Sequence, residues 1–476
     1  MTQDAPQHAE LQVGAVSTDA TTDMTKSATS KSYVTFTPRL GQDSGASIDQ
    51  GSVQEQYRTY KMRWLGLGVL TLLNMMVSWA WLTFSPVVSD AAEFYRVDES
   101  TINWLSSIFV FANFAMTFVT IRLLDWGLRP TIITGSSLLI IGNWIRYAGS
   151  SSSTSNKVAV VAVGQALLGM AQSLVLSAPT RFSETWFTTS GRVTATAVMS
   201  LANPMGAAVG QVVNPFWVSK SADVASMVLY VSIISSAVAL PGFFIPEAPP
   251  TPPAPSGVTM RLPILESLRR LITSLEFFLI IIPFWVFTGF FVATTTLINQ
   301  IVKPYGFSDT EAGIGGGLLI VLGLIASGIV APIVDRNKKY LLVVKCGVVL
   351  GALCYLALIW VPTSREVGAL YALLGVLGVA SLAIVPVVLE VLTELSYPVG
   401  PEITSTIAWA VGQLLGGCFI LLGNAMKAGQ DAHIPRNLTN FVIFQAVFAL
   451  ALVPLPLSLG LFGRADKVLL KRTRID

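Results

Sequence analysis

Residues 277–302 read FFLIIIPFWVFTGFFVATTTLINQIV, 26 positions without one Asp, Glu, Lys or Arg. As a helix rising about 1.5 Å per residue this run reaches about 39 Å, more than the roughly 30 Å hydrocarbon core of a bilayer. Lipid offers no hydrogen bonds, so the backbone must satisfy itself, and a helix is the form that does so within one segment. Eleven further apolar stretches share the pattern between Trp64 and Phe462. The expected spans are 64–88, 102–122, 130–148, 158–180, 193–217, 226–245, 277–302, 312–334, 340–361, 367–393, 403–425 and 439–462. Hydrophobic residues make up 53% of the chain and charged ones 12%, against about 25% charged in soluble domains. The expected fold class is an all-α membrane protein with twelve transmembrane helices.

What lies outside the spans sets orientation. Residues 1–60 are rich in Ser, Thr, Gln and Asp and hold no secretory signal, which reads as a disordered tail. Arg58, Lys61 and Arg63 precede the first span, while Asp90, Glu93, Asp98 and Glu99 follow it. The positive-inside rule then puts the amino end in the cytoplasm. Arg464, Lys467, Lys471, Arg472 and Arg474 in the basic tail 463–476 put the carboxyl end there too. The plasma membrane is the expected host. A net charge of +3 gives no footprint for nucleic acid. Cys346, Cys354 and Cys418 all fall in apolar stretches, and His8 and His433 lie outside the spans. No metal or cofactor is therefore expected, and no nucleophile or acid–base cluster suggests an enzyme.

The longest inner connection opens Pro246-Glu247-Ala248-Pro249-Pro250-Thr251-Pro252-Pro253, a spacer that cannot be helical. It divides the spans six and six. The predicted organisation is a six-helix bundle over 61–245, a cytoplasmic linker over 246–275 and a second bundle over 276–462. Asp125 and Asp335 lie 210 positions apart, and the same offset lays Arg129 on Lys339, Thr194 on Thr404, Asn203 on Gln413, Gly206 on Gly416 and Trp81 on Phe291. Two pseudo-symmetric bundles around a central cavity are the architecture of a rocking transporter.

Two turns carry a wider likeness. Asp125-Trp126-Gly127-Leu128-Arg129 follows the second span and Asp335-Arg336-Asn337-Lys338-Lys339 the eighth. Each resembles the aspartate-x-glycine-x-arginine turn of the major facilitator superfamily. The Asp can cap a helix start or pair with a cation across the inner mouth. A tight turn with ordinary positive-inside charge is the competing account. Narrower runs are Trp81-Leu82-Thr83-Phe84-Ser85-Pro86-Val87, Ile102-Asn103-Trp104-Leu105-Ser106, Ser200-Leu201-Ala202-Asn203-Pro204-Met205-Gly206 and Glu394-Leu395-Ser396-Tyr397-Pro398-Val399-Gly400. These resemble the feline leukaemia virus subgroup C receptor-related family, solute carrier family 49, closest to its member-3 branch. The resemblance implies a site for choline- or ethanolamine-like solutes built from a Trp on span one, an aromatic on span seven and amides on spans five and eleven. It matches Trp81 and Gln413. At the other two positions this chain has Val292 for a Tyr and Pro204 for a Gln, with Asn203 beside it.

The polar residues within the spans complete the expectation. Trp79 and Trp81 sit about 200° apart round a helix, so only one can face a cavity, and the resemblance selects Trp81. An interfacial anchor is the other role open to it. Gln413 would be costly against lipid and must point inward, to a solute or to a neighbouring helix. Pro204 and Gly206 either loosen span five, exposing carbonyls to a solute, or serve helix packing alone. Asn299 and Gln300, near the outer end of span seven, read equally as outer-gate or water-facing amides and as solute-binding ones. The only carboxylate within the spans is Glu390, with Glu394 at the edge, both toward the cytoplasmic end of span ten. Proton coupling needs an acid at mid-depth, so facilitated movement is expected. The sequence thus predicts a monomeric carrier of a small organic solute, with amine-type cations as candidates, lodged in the lipid bilayer. Trp81, Asn203 and Gln413 would bind the solute, and Asp125, Arg129, Asp335, Arg336 and Glu390 would form the inner gate. The alternatives are a non-transporting receptor or scaffold on the same fold, or a proton-coupled metabolite or haem carrier.

Overall fold

The computed structural model describes residues 58–152, 156–251, 269, 271, 273–396, 399 and 401–459. The predicted tail 463–476, nearly all of 1–60 and most of the 246–275 linker lie outside them. The elements are α1 Met62–Trp81, α2 Val88–Tyr95, α3 Glu99–Trp126, α4 Leu128–Ser151, α5 Lys157–Trp186, α6 Thr189–Trp217, α7 Val224–Ala239, α8 Leu275–Val302, α9 Asp309–Asn337, α10 Tyr340–Ala357, α11 Val361–Ser364, α12 Val367–Leu382, α13 Val385–Ser396, α14 Pro401–Ala425, α15 Thr439–Leu452 and α16 Pro454–Ser458. No strand occurs among the described residues. Among the described residues ten helical segments are long and apolar enough to cross a membrane, with α1 and α2, α12 and α13, and α15 and α16 each counted as one crossing. The remaining two long helices, α4 of 24 residues and α6 of 29, have the length but carry more polar residues. Together they make the twelve the sequence predicts.

Helix pairing repeats along the chain. In the first half α1 packs on α6 and α5, α3 on α5, α4 on α5 and α7, and α5 on α6. Shifted by six crossings, α8 packs on α14 and α12, α9 on α12, α10 on α12 and α15, and α13 on α14. Without a hydrophobic drive between helices in lipid, such contacts depend on close fit. The seam between the halves is built this way. Helix α6 lies on α9, where a Cβ at Gly313 would strike the carbonyl of Gln211 and one at Gly317 would come 2.5 Å from Val212. Helix α3 lies on α14.

The breaks in the helices fall elsewhere than span five, which does not open at Pro204, since α6 runs unbroken through both Pro204 and Pro215. Gly206 there serves packing, because a Cβ would collide with the backbone of Met75 on α1. Neighbouring helices can hold a proline-bearing membrane helix together in this way. The first and tenth crossings break instead, over 82–87 and 383–384, just ahead of or at Pro86 and Pro386. A proline lacks the N–H that would bond the carbonyl four residues earlier, at Leu82 for Pro86 and Leu382 for Pro386, and α1 and α12 end at these points.

Candidate functional site

A cavity of about 1040 Å³, its open mouth included, lies between the halves. Trp81, Ser78, Asn203 and Pro204 reach it from α1 and α6, and Phe284, Phe287, Phe291, Trp409 and Gln413 from α8 and α14. Val344 and Val348 on α10 and Pro456 on α16 line it as well. None of its 25 lining residues is Asp, Glu, Lys, Arg or His. Aromatic faces with a few hydroxyls and amides can hold a small organic solute by dispersion, cation–π attraction and hydrogen bonds. The two break points meet this cavity, since Trp81 ends α1 and residues 380–388 straddle the gap between α12 and α13.

The three sequence-predicted binding residues all border this one cavity. Trp81 is 7% exposed and stacks on Phe109 at 6.4 Å between ring centroids. Trp79 turns the other way, donating its indole N–H to Asn214 Oδ1 at 2.9 Å and stacking on Trp217. The Asn203 amide is engaged within its own half. Its Nδ2 donates to Gln172 Oε1 at 3.1 Å and to the Asn74 carbonyl at 3.2 Å. Gln413 is half-buried, and no hydrogen-bond partner for its amide occurs among the described residues. Phe291, the offset partner of Trp81, lines the same space. Val292 and Pro204, the two departures from the resemblance, are in its wall too.

The predicted gate residues are scattered around the other face. Asp125, Arg129, Arg336 and Glu390 are exposed, and the side chain of Asp335 lies outside the described residues. The carboxylate that caps α4 is Glu247, which accepts the backbone N–H groups of Leu128 at 2.7 Å and Arg129 at 2.8 Å. Its charge suits a helix start. Lys345 donates to the carbonyl of Leu459 at 2.7 Å.

Two constellations stand apart from the cavity; the sequence expectation placed Asn299 and Gln300 at an outer gate but did not bring together the residues around them. At the far end from Val344 and Pro456, Lys427 pairs with Glu99, their side chains 13% and 17% exposed. Ser89 donates to the same carboxylate at 2.9 Å. Asn103 and Gln300 exchange side-chain hydrogen bonds at 3.1 and 2.7 Å, and Asn103 also donates to Asn424 Oδ1 at 2.6 Å. Asn299 reaches the Pro86 carbonyl at 2.9 Å, and Gln211 that of Thr295 at 2.6 Å. These contacts tie first half to second. The other constellation centres on Arg146, fully buried on α4 with its guanidinium donating to the Ala80 carbonyl, Thr83 Oγ1 and Gln165 Oε1. Its signal was a lone cation in an apolar run, which in a membrane segment calls for a partner or a function.

Comparison with known proteins adds to this geometry. The family model described as Major Facilitator Superfamily matches residues 69–420. Solute carrier family 49 member A3 of Xenopus tropicalis is 32% identical over 390 residues, covering 80% of this chain and 81% of that protein. A choline/ethanolamine transporter of Felis catus, FLVCR1, is 26% identical over 401 residues, covering 78% and 69%. Among solved structures, a bacterial homologue of the human lysosomal transporter Spinster, inward-facing and unoccupied, superposes with a TM-score of 0.68 at 12% identity, covering 87% of this chain and 98% of that one. At that identity the likeness bears on the fold alone.

Proposed function

Since the chain belongs to the Major Facilitator Superfamily and, within it, to solute carrier family 49, a family of transporters, we propose that it carries a small organic solute through the central cavity by alternating access. The observation that supports this most is one aromatic-walled cavity, without a charged side chain among the described residues that line it, to which Trp81 of the first half and Gln413 of the second both contribute. Trp81, Asn203 and Gln413 bind the solute in this reading. Asn203 contributes its border position and the amide pair with Gln172 rather than a free amide.

Amine-type cations are the first candidates, because an indole face attracts a cation by about 0.5–2 kcal/mol without any carboxylate. The cat relative is named for choline and ethanolamine. Among the described residues no acid or His lines the cavity wall to take up a proton beside the solute, which supports facilitated movement over proton coupling. The halves are 61–245 and 276–462, joined by the linker 246–275. Both termini face the cytoplasm, so the end marked by Val344 and Pro456 is the inner mouth and Glu99 with Lys427 closes the outer one. Asp125, Arg129, Asp335, Arg336 and Glu390 would meet across the inner mouth when it shuts. The carrier works as a monomer in the plasma membrane, as a transporter rather than an enzyme, and without nucleic acid.

Purified protein in liposomes tests this with radiolabelled choline and ethanolamine, extended to solutes that raise its melting temperature. Flux above empty liposomes is expected, reduced in W81A and Q413A at equal incorporation. Flux unchanged in both variants would remove the site, and no flux for any stabilising solute would remove the carrier reading.

A further inference from the structure

The first crossing stops being a helix at Trp81, the residue offered to the cavity. A helix end leaves its last four carbonyls without partners, and here that end is buried in a bundle. Every one of the final carbonyls nevertheless has a donor. Leu82 N–H reaches Ser78 at 3.4 Å, and Thr83 Oγ1 donates to Trp79 at 3.3 Å and Ala80 at 3.0 Å. Gln165 Nε2 lies 3.4 Å from the Ala80 carbonyl and 3.3 Å from that of Trp81 itself. The strongest donor is Arg146, whose Nη1 lies 2.8 Å from the Ala80 carbonyl and whose Nη2 holds Thr83 Oγ1 at 3.0 Å.

A cation suits this place because the end of a helix carries partial negative charge. No carboxylate is among the hydrogen-bond partners of Arg146 in the described residues, so these dipoles and the face of Phe84, 5.3 Å away, stand in for a counter-ion. The side chain has no freedom to leave. A Cβ at Gly164 would already come 2.7 Å from Arg146 Cγ. Trp81, by contrast, is not held by its own polar atom, since its buried Nε1 has no hydrogen-bond partner among the described residues. Its direction is set by the backbone of residues 79–83 together with apolar packing, the Phe109 ring included.

We propose that Arg146 is a positioning residue for transport: by capping the broken end of α1 it fixes the angle at which the Trp81 indole enters the cavity. The inference rests on Trp81 belonging to the solute site. A planar fork is needed to span the Ala80 carbonyl and Thr83 Oγ1 together, which the single ammonium of a lysine does not supply.

The test is ¹⁹F NMR of the full-length protein in nanodiscs, labelled with 5-fluorotryptophan, with the Trp81 signal assigned by its loss in W81F. R146Q is expected to shift or split that signal while those of Trp285 and Trp409 in the second half stay in place. R146K should move it less than R146Q. An unmoved Trp81 signal in R146Q, or equal displacement of all three signals, overturns the proposal. If R146Q does not fold, R146K takes its place, because it keeps the charge but not the fork that spans the Ala80 carbonyl and Thr83 Oγ1; an unmoved Trp81 signal there overturns the proposal as well. Liposome uptake of labelled choline, or of the stabilising solute found above, separates the two readings. Uptake unchanged in W81A would sink the site while leaving the NMR result standing.

Discussion

At one end of the seam between the halves, Glu99, Asn103, Gln300, Asn424 and Lys427 form a closed set of polar contacts; at the other, Asp125, Arg129 and Arg336 lie exposed. Both ends carry charge, yet only one spends it across the seam. Burial makes the difference in energy. An exposed ion pair contributes about 0–1 kcal/mol, whereas removing one partner of a buried pair costs about 3–5 kcal/mol because the survivor is left unpaired. The closed end therefore holds this state, and a carrier that alternates must recover that energy at the opposite end when the first one opens.

The largest expected effect follows directly. K427A leaves the Glu99 carboxylate buried without its cation and should loosen the closed end by about 3 kcal/mol, read as a longer distance between spin labels placed on either side of it. E99Q combined with K427Q should restore much of the closure, since two neutral amides can still hydrogen-bond. Distances in K427A that match the wild type would show that the amides alone keep that end shut. Next in size is W81A, expected to cut flux about tenfold, equivalent to about 1.4 kcal/mol, with the closed-end distances unchanged. A change in both would mean that cavity and seal are not separable.

The same contrast explains what was legible in the sequence. Apolar runs of membrane length survive any detail of packing, so the twelve crossings could be read from residues such as 277–302 directly. Gln413 stood out because an amide in apolar surroundings has few places to go, whereas Trp81 was singled out from Trp79 by the family resemblance; both border the cavity. Glu99 did not stand out. It flanks a span, where charge reads as an orientation signal, and its partner Lys427 lies 328 residues further on. The break at 82–87 was hidden because Pro86 sits near the predicted end of the first span, while Pro204 in mid-span drew attention to a helix that α1 packs against and keeps whole. Arg146 was masked by the length of the apolar run around it.

At the open end, E247A sharpens the comparison by removing a cap rather than a cross-seam contact. It strips two backbone N–H groups of their acceptor at the start of α4, a loss of about 1 kcal/mol and a few degrees of melting temperature. The fall should be the same with or without solute. Asp125 is the opposite case, a group whose worth depends on which state is present.

D125N should change melting temperature least of all, within about 0.5 kcal/mol, because the carboxylate is exposed and has no ion-pair partner among the described residues. Transport is where it must act if the inner mouth closes on it. A state that shuts this end would bring Asp125 near the cations on the second half, Arg336 among them, and would lose that attraction in the variant. Since the same transition opens Glu99 from Lys427, a weaker inner latch shifts the balance toward the state described here, by no more than the latch was worth. The expected signature is reduced flux with unchanged melting temperature and fewer molecules in which the outer labels are far apart. Flux equal to wild type would leave the aspartate a turn residue, and the inner closure would have to be sought in apolar contacts alone.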